Sequence, residues 1–132
     1  MNSPGRSPEV SMERRRTVLV IDDHPHVRML ISAVLAMQGL EVIGARDGRQ
    51  GLELVKTGRP DVVLLDWIMP GMGGEEFLLH LQETDPHVPV MLITGSAGGP
   101  DLSGHPRVND FLAKPFDVWE LAGRVERLLS SR

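Results

Sequence analysis

Five short apolar runs, TVLVI, EVIGA, DVVLLD, VPVMLIT and DFLA, punctuate the chain, and helical patterns fill most of the gaps between them. That alternation constrains the fold more than any single motif. Parallel strands need crossover connections, and a helix is the usual one. Strands apolar at nearly every position suit a sheet covered by helices on both faces. Right-handed crossovers then leave few topologies. The expected architecture is α/β, a doubly wound parallel sheet.

The helical stretches carry their own start and stop signals. PHVRMLISAVLAMQG sets Val27, Leu30, Ile31, Val34 and Leu35 at helical spacing, with Pro25 near the start and Gly39 past the end. DGRQGLELVKTG offers Asp47 as N-cap and Gly58 as terminator. GEEFLLHLQETD should bury Phe77, Leu78 and Leu81. FDVWELAGRVERLLSS should align Val118, Leu121, Val125, Leu128 and Leu129 on one face. One connection departs from the pattern. GSAGGPDLSGHPRV, between the fourth and fifth strands, holds four glycines and two prolines, so a fourth helix there is expected to be short or poorly ordered. Residues 1–16 are polar and aperiodic and are expected as a disordered tail, 17–130 as the folded domain and 131–132 as its C-terminal end.

Composition narrows the function classes. A chain of 132 residues is enough for one domain with a proper core. It contains no cysteine, which excludes disulfides, thiolate metal sites and cysteine nucleophiles. The net charge of −4 argues against nucleic acid or an anionic membrane as the main partner. No apolar run approaches the roughly 18 residues of a bilayer span, and the N-terminus lacks a signal-peptide pattern, so the expected location is cytoplasmic.

The polar residues gather at strand ends. The first strand runs into Asp22 and Asp23, the third ends at Asp66, the fourth at Thr94, and the fifth stops just before Lys114. In an open parallel sheet these carboxyl ends share one edge, and ligands bind where the strand order reverses. With the flavodoxin-like order 2-1-3-4-5, strands one and three are neighbours at that reversal. Adjacent carboxylates repel beside an apolar core unless something positive stands near them. Alone, Asp22 and Asp23 read as N-caps ahead of Pro25; in the company of Asp66 and Lys114 they read as holders of a cation.

The set IDDHPHVR, DVVLLDWIMPGMGGEEFL, MLITG and FLAKPF strongly resembles the receiver domain of two-component response regulators, over about residues 17–130. The resemblance implies that Asp66 is the phosphoacceptor, charged from a histidine on a sensor kinase or a histidine phosphotransfer protein. It implies Mg²⁺ held by Asp22, Asp23, Asp66 and the backbone carbonyl of Ile68. Thr94 would bond one phosphoryl oxygen and Lys114 another, and Phe111 stands where the family has its switch aromatic. The chemistry is coherent: a carboxylate can attack phosphorus, and the loose transition state asks mainly for positioning and positive charge. Mg²⁺ suits one or two carboxylates plus phosphate oxygen.

Some positions depart from the family or read more plainly. Gly73 stands where the third helix usually has a polar N-cap. Apolar Ile68 should alter access for hydrolytic water and slow the loss of phosphate. The segment 95–108 is expected to be mobile and to become ordered on phosphorylation or partner binding. His24 and His26, two residues apart on a loop, read as solvent-facing rather than as metal ligands, and His80, His87 and His105 as surface residues. Trp67 is expected as a partly covered ring on the site's rim and Trp119 as a surface or interface residue.

The expected function is a stand-alone receiver that switches contacts with an unknown downstream protein and binds neither nucleic acid nor membrane. It would catalyse only its own phosphorylation and dephosphorylation. Two alternatives are a pseudo-receiver acting as a binding scaffold and a haloacid-dehalogenase-like, Mg-dependent phosphatase. The latter needs a DxD arrangement, where this chain has adjacent aspartates.

Overall fold

The computed structural model describes residues 15–68, 71–95 and 104–130. The elements are β1 (Thr17–Ile21), α1 (Pro25–Met37), β2 (Glu41–Ala45), α2 (Gly48–Gly58), β3 (Val62–Asp66), α3 (Gly74–Thr84), β4 (Val90–Thr94), β5 (Asp110–Ala113) and α4 (Val118–Ser130). All strand pairings are parallel, in the order β2-β1-β3-β4-β5. The doubly wound sheet with its reversal between β1 and β3 is thus as the alternating pattern requires. Among the described residues no helix is long and apolar enough to cross a membrane.

Successive strand side chains point to opposite faces, and the chain fills both. Val18, Val20, Val62, Leu64, Met91 and Ile93 pack with Ile31 and Leu35 of α1 and Leu121 and Val125 of α4. Leu19, Ile21, Val63, Leu65, Val90 and Leu92 pack with Val55 of α2 and Phe77, Leu78 and Leu81 of α3. Burying a side chain the size of Leu or Phe contributes about 1.5–3 kcal/mol. β1, β3 and β4 are therefore lined on both faces.

The helix ends follow local chemistry. Pro25 occupies the first turn of α1, where its missing N–H costs nothing, and Gly39 after the helix takes φ +84°. At α2 the Asp47 carboxylate accepts from the Gln50 amide at 2.9 Å, and the Gln50 side chain accepts from the Arg46 amide, one residue before the N-cap, at 2.8 Å; the pair is a variant of the capping box. The left-handed residue that ends α2 is Arg59, φ 45°, not the expected Gly58, which is the last helical residue. Gly73 caps α3 with no side-chain bond. At α4, Asp117 Oδ1 accepts from the Trp119 and Glu120 amides at 2.7 and 3.3 Å. Leu30 is 51% exposed instead of buried, because the apolar stripe of α1 is wider than the face the sheet covers.

The expectations for the tail, for residues 131–132 and for most of 95–108 fall outside the described residues. The described part of the last segment, 104–108, is turn and irregular chain. Arg107 ties it down, donating to the carbonyls of Val88 and Asp85, each at 2.8 Å.

Candidate functional site

The register of β1 and β3 builds the site. Ile21 pairs with Leu65, so the next residues, Asp22 and Asp66, leave the sheet level with each other. On the other side Asp66 pairs with Ile93 and Thr94 with Ala113, which brings Lys114 to the same edge. Asp22 is 2% exposed and Asp66 4% exposed. The Lys114 amine reaches in to 2.9 Å from Asp22 Oδ2 and 3.7 Å from Asp66 Oδ2, and its own backbone amide donates to the Thr94 carbonyl at 2.7 Å.

The turn after β1 is heavily bonded. Asp22 Oδ1 accepts from the His24 amide at 2.9 Å, while the Asp22 carbonyl accepts from the Arg28 guanidinium at 2.6 Å. The N-cap of α1 is therefore His24, without a side-chain cap bond; the plain reading of Asp22 and Asp23 as helix caps does not hold. Asp23 is half-buried, and its Oδ1 is buried with no hydrogen-bond partner among the described residues. Among the described residues Asp66 accepts only a long hydrogen bond of 3.4 Å, from the Ile68 amide to its Oδ1.

The two buried carboxyls differ electrically. Burial opposes the charge on Asp22, but the His24 amide, the Lys114 amine and the His24 ring outweigh it and hold the group below the ordinary carboxylate range. Asp66 is pushed above that range, first by burial and then by the negative charge on Asp22, with Lys114 offsetting only part.

An orphaned, buried carboxylate oxygen amid three aspartates is what a hard divalent cation would satisfy, and the donor set of carboxylate oxygens fits Mg²⁺. Asp22, Asp23 and Asp66 can hold such an ion; with His24 they each offer a ligand atom within 4.8 Å of the others.

Of the residues singled out in the sequence, Asp22, Asp23, Asp66 and Lys114 converge, and Thr94 adjoins them through the backbone. Ile68 is exposed, with its side chain in solvent. Phe111 is half-buried against the core cluster under α2 and α3. Trp67 is a partly covered ring beside Asp66, accommodated because Gly74 has no side chain: a Cβ there would stand 2.3 Å from Trp67 Cε3. Trp119 is exposed, as expected. His105 is less exposed than a surface residue, its Nε2 lying 3.2 Å from Glu75. His24 is exposed, as expected, and its Nδ1 also stands 3.0 Å from Asp22 and 3.3 Å from Asp23. The signal for it in the sequence is its place directly after the acid pair and before a helix-starting proline.

A family model, the response regulator receiver domain, matches residues 18–126. The chain is 35% identical over 115 residues to the probable transcriptional regulatory protein TcrX of Mycobacterium tuberculosis, covering 86% of this chain and 49% of TcrX. It spans about half the length of several such curated relatives. It is also 34% identical over 115 residues to sporulation initiation phosphotransferase F of Bacillus subtilis, covering 85% of this chain and 92% of that protein. Among solved structures, the response regulator protein TrrA of Thermotoga maritima, in complex with Mg²⁺ and BeF, superposes with a TM-score of 0.75 at 27% identity, over 86% of this chain and 98% of that one. The sheet order, the acidic strand ends and these likenesses agree: the chain belongs to the response regulator receiver domain family.

Proposed function

We propose that Asp66 accepts a phosphoryl group from a phosphohistidine on a sensor kinase or a histidine phosphotransfer protein, and that the phosphorylated domain, residues 17–130, changes its contacts with a downstream protein. The observation that carries this reading is the position of the Lys114 amine, 2.9 and 3.7 Å from buried carboxylates of two neighbouring strands. A cationic group facing acids at the switch point is what a phosphoryl group needs on its peripheral oxygens.

In the transfer, an Asp66 oxygen attacks phosphorus in line. The P–N bond breaks, its electron pair leaves with the imidazole nitrogen, and an acyl phosphate remains on Asp66. Asp22 and Asp23, with Asp66 and the Ile68 carbonyl, would hold Mg²⁺, which supplies positive charge against the phosphoryl oxygens. Asp22, kept ionised, is the lasting anionic partner of cations in the site. Lys114 carries the opposite charge across the space that the phosphoryl group would fill. Thr94, at the end of β4, would offer a hydroxyl to one phosphoryl oxygen, and Phe111 on β5 would be the switch aromatic.

Dephosphorylation is attack by water, releasing phosphate and restoring the carboxylate. Exposed, apolar Ile68 offers that water no hydrogen bond from its side chain, so the acyl phosphate should be long-lived. A lifetime of seconds at neutral pH would count against that role. A cytoplasmic location, and partners that are proteins rather than nucleic acid, go with this reading.

The test is incubation with acetyl phosphate and Mg²⁺, followed by intact mass. A phosphate-sized gain in the wild type and none in Asp66→Asn is the expected result. No gain in the wild type would favour a scaffold without phosphoryl chemistry, and steady turnover of a simple phosphate monoester would favour the phosphatase.

A further inference from the structure

Beyond the three aspartates, one more side chain faces the place where a cation would sit. His24 is N-cap of α1, in extended conformation at φ −95° and ψ 111°. Its backbone is held on both sides. Its amide donates to Asp22 Oδ1, and its carbonyl accepts from the Val27 and Arg28 amides at 3.1 Å each. Pro25 fixes the next φ. The imidazole lies against the acid pair, Nδ1 3.0 Å from Asp22 Oδ1 and 3.3 Å from Asp23 Oδ1. Asp23 Oδ1 is the buried oxygen without a hydrogen-bond partner. Ligand atoms of Asp22, Asp23, His24 and Asp66 all lie within 4.8 Å of one another. Ligands on opposite sides of one ion at about 2.1 Å are separated by about 4.2 Å, so small side-chain rotations suffice, with the neutral ring's proton on Nε2 and the Nδ1 lone pair turned from Asp22 to the ion. The His24 side chain is 54% exposed, which leaves an ion a way in.

Imidazole changes what such a site prefers. Mg²⁺ seeks oxygen and keeps its waters, whereas an imidazole nitrogen suits first-row transition metals, with affinity rising from Mn²⁺ through Co²⁺ towards Cu²⁺. We propose that His24 is a fourth protein ligand of the cation at this site, and that it gives the domain a selectivity for transition-metal dications such as Mn²⁺ and Co²⁺ over Mg²⁺. This rests on the reading that the three aspartates hold a cation at all. His26 takes no part: it is exposed and meets His24 only ring edge to ring face, at 5.9 Å between centroids.

The test is calorimetric titration of the full chain with Mg²⁺ and with Co²⁺, together with pulsed electron paramagnetic resonance of bound Mn²⁺ to detect a directly coupled nitrogen. Wild type, His24→Ala, His26→Ala and Asp23→Asn are compared at one pH. His24→Ala should lose the nitrogen coupling and at least tenfold in Co²⁺ affinity, with Mg²⁺ affinity within twofold. His26→Ala should match the wild type, and Asp23→Asn should weaken both metals. Unchanged Co²⁺ affinity in His24→Ala, an equal loss for both metals, or no nitrogen coupling in the wild type overturns the proposal while Mg²⁺ binding keeps the cation site. Failure of the wild type to bind either ion instead removes the cation site itself.

Discussion

The ends of β1 and β3 share one plan and finish differently. Each strand is a fully buried apolar run that leads into an aspartate only a few per cent exposed. At the end of β1, Asp22 meets the His24 amide, the His24 ring and the Lys114 amine. At the end of β3, Asp66 has one long backbone bond and a more distant lysine. The first carboxyl is held ionised and the second is pushed toward its protonated form. One acidic cluster thereby divides its work. On the proposed function, the carboxylate with its bonds already made would anchor cations, and the under-bonded one would react.

Removing Lys114 should narrow that contrast. In chelator, Lys114→Met leaves Asp22 and Asp66 buried without their shared cation, and breaking such a pair costs about 3–5 kcal/mol. Urea unfolding measures it; a loss below about 1 kcal/mol would mean that the amine does not stabilise the cluster. A substitution next to β3 should be the next largest. Gly74→Ala drives a Cβ into the Trp67 ring and should cost about 1–3 kcal/mol by overpacking. It should also move the Trp67 fluorescence maximum, because the ring beside Asp66 must shift.

Asp66→Asn should act the other way. Without metal it removes a carboxylate held at a cost, so the domain should gain about 0.5–2 kcal/mol, the scale of a stabilising single change. The pH dependence has a definite sign. The folded-state pKa of Asp66 lies above its unfolded value, so the folded chain binds the extra proton, and stability from this group is full in acid and lost as pH rises through the folded pKa. Asp22 is the reverse: its contribution is present above the ordinary value of 3.8 and lost as pH falls through its lowered pKa. Thermal melts in chelator should therefore show the margin of Asp66→Asn over wild type widening from pH 4 toward neutrality. A margin constant with pH would mean that the pKa of Asp66 is not raised by folding. The smallest effect lies further along the β3 side, where Gly73→Ser supplies the missing cap of α3 and should add a few tenths of a kcal/mol.

How much of the fold and the site is legible in the sequence depends on the physics of each element. Strands buried on both faces are written as unbroken Val, Leu and Ile, so β1, β3 and β4 can be read residue by residue. Caps made by side chains, such as Asp47, are legible because the chemistry is local. Arg59 in a left-handed turn is not, because the pattern points to the glycine one residue earlier. The exposure of Leu30 depends on how much of α1 the sheet and α4 cover, which no helical period states. At the site, Asp22, Asp23, Asp66 and Lys114 are visible as strand-end charges once a strand order is assumed. His24 is harder to see, because metal-ligand spacing pairs it with His26, whereas the cluster it joins is closed by Asp66 from another strand.

Locating the phosphoryl group tests this division between the two strand ends most directly. The protein is treated with acetyl phosphate and Mg²⁺, quenched, digested, and each peptide is mass-mapped for an acyl phosphate. The under-bonded carboxylate should carry all of it: a phosphate-sized gain on Asp66 and none on Asp22 or Asp23. Label on either residue of the β1 pair, with Asp66 unmodified, would contradict it.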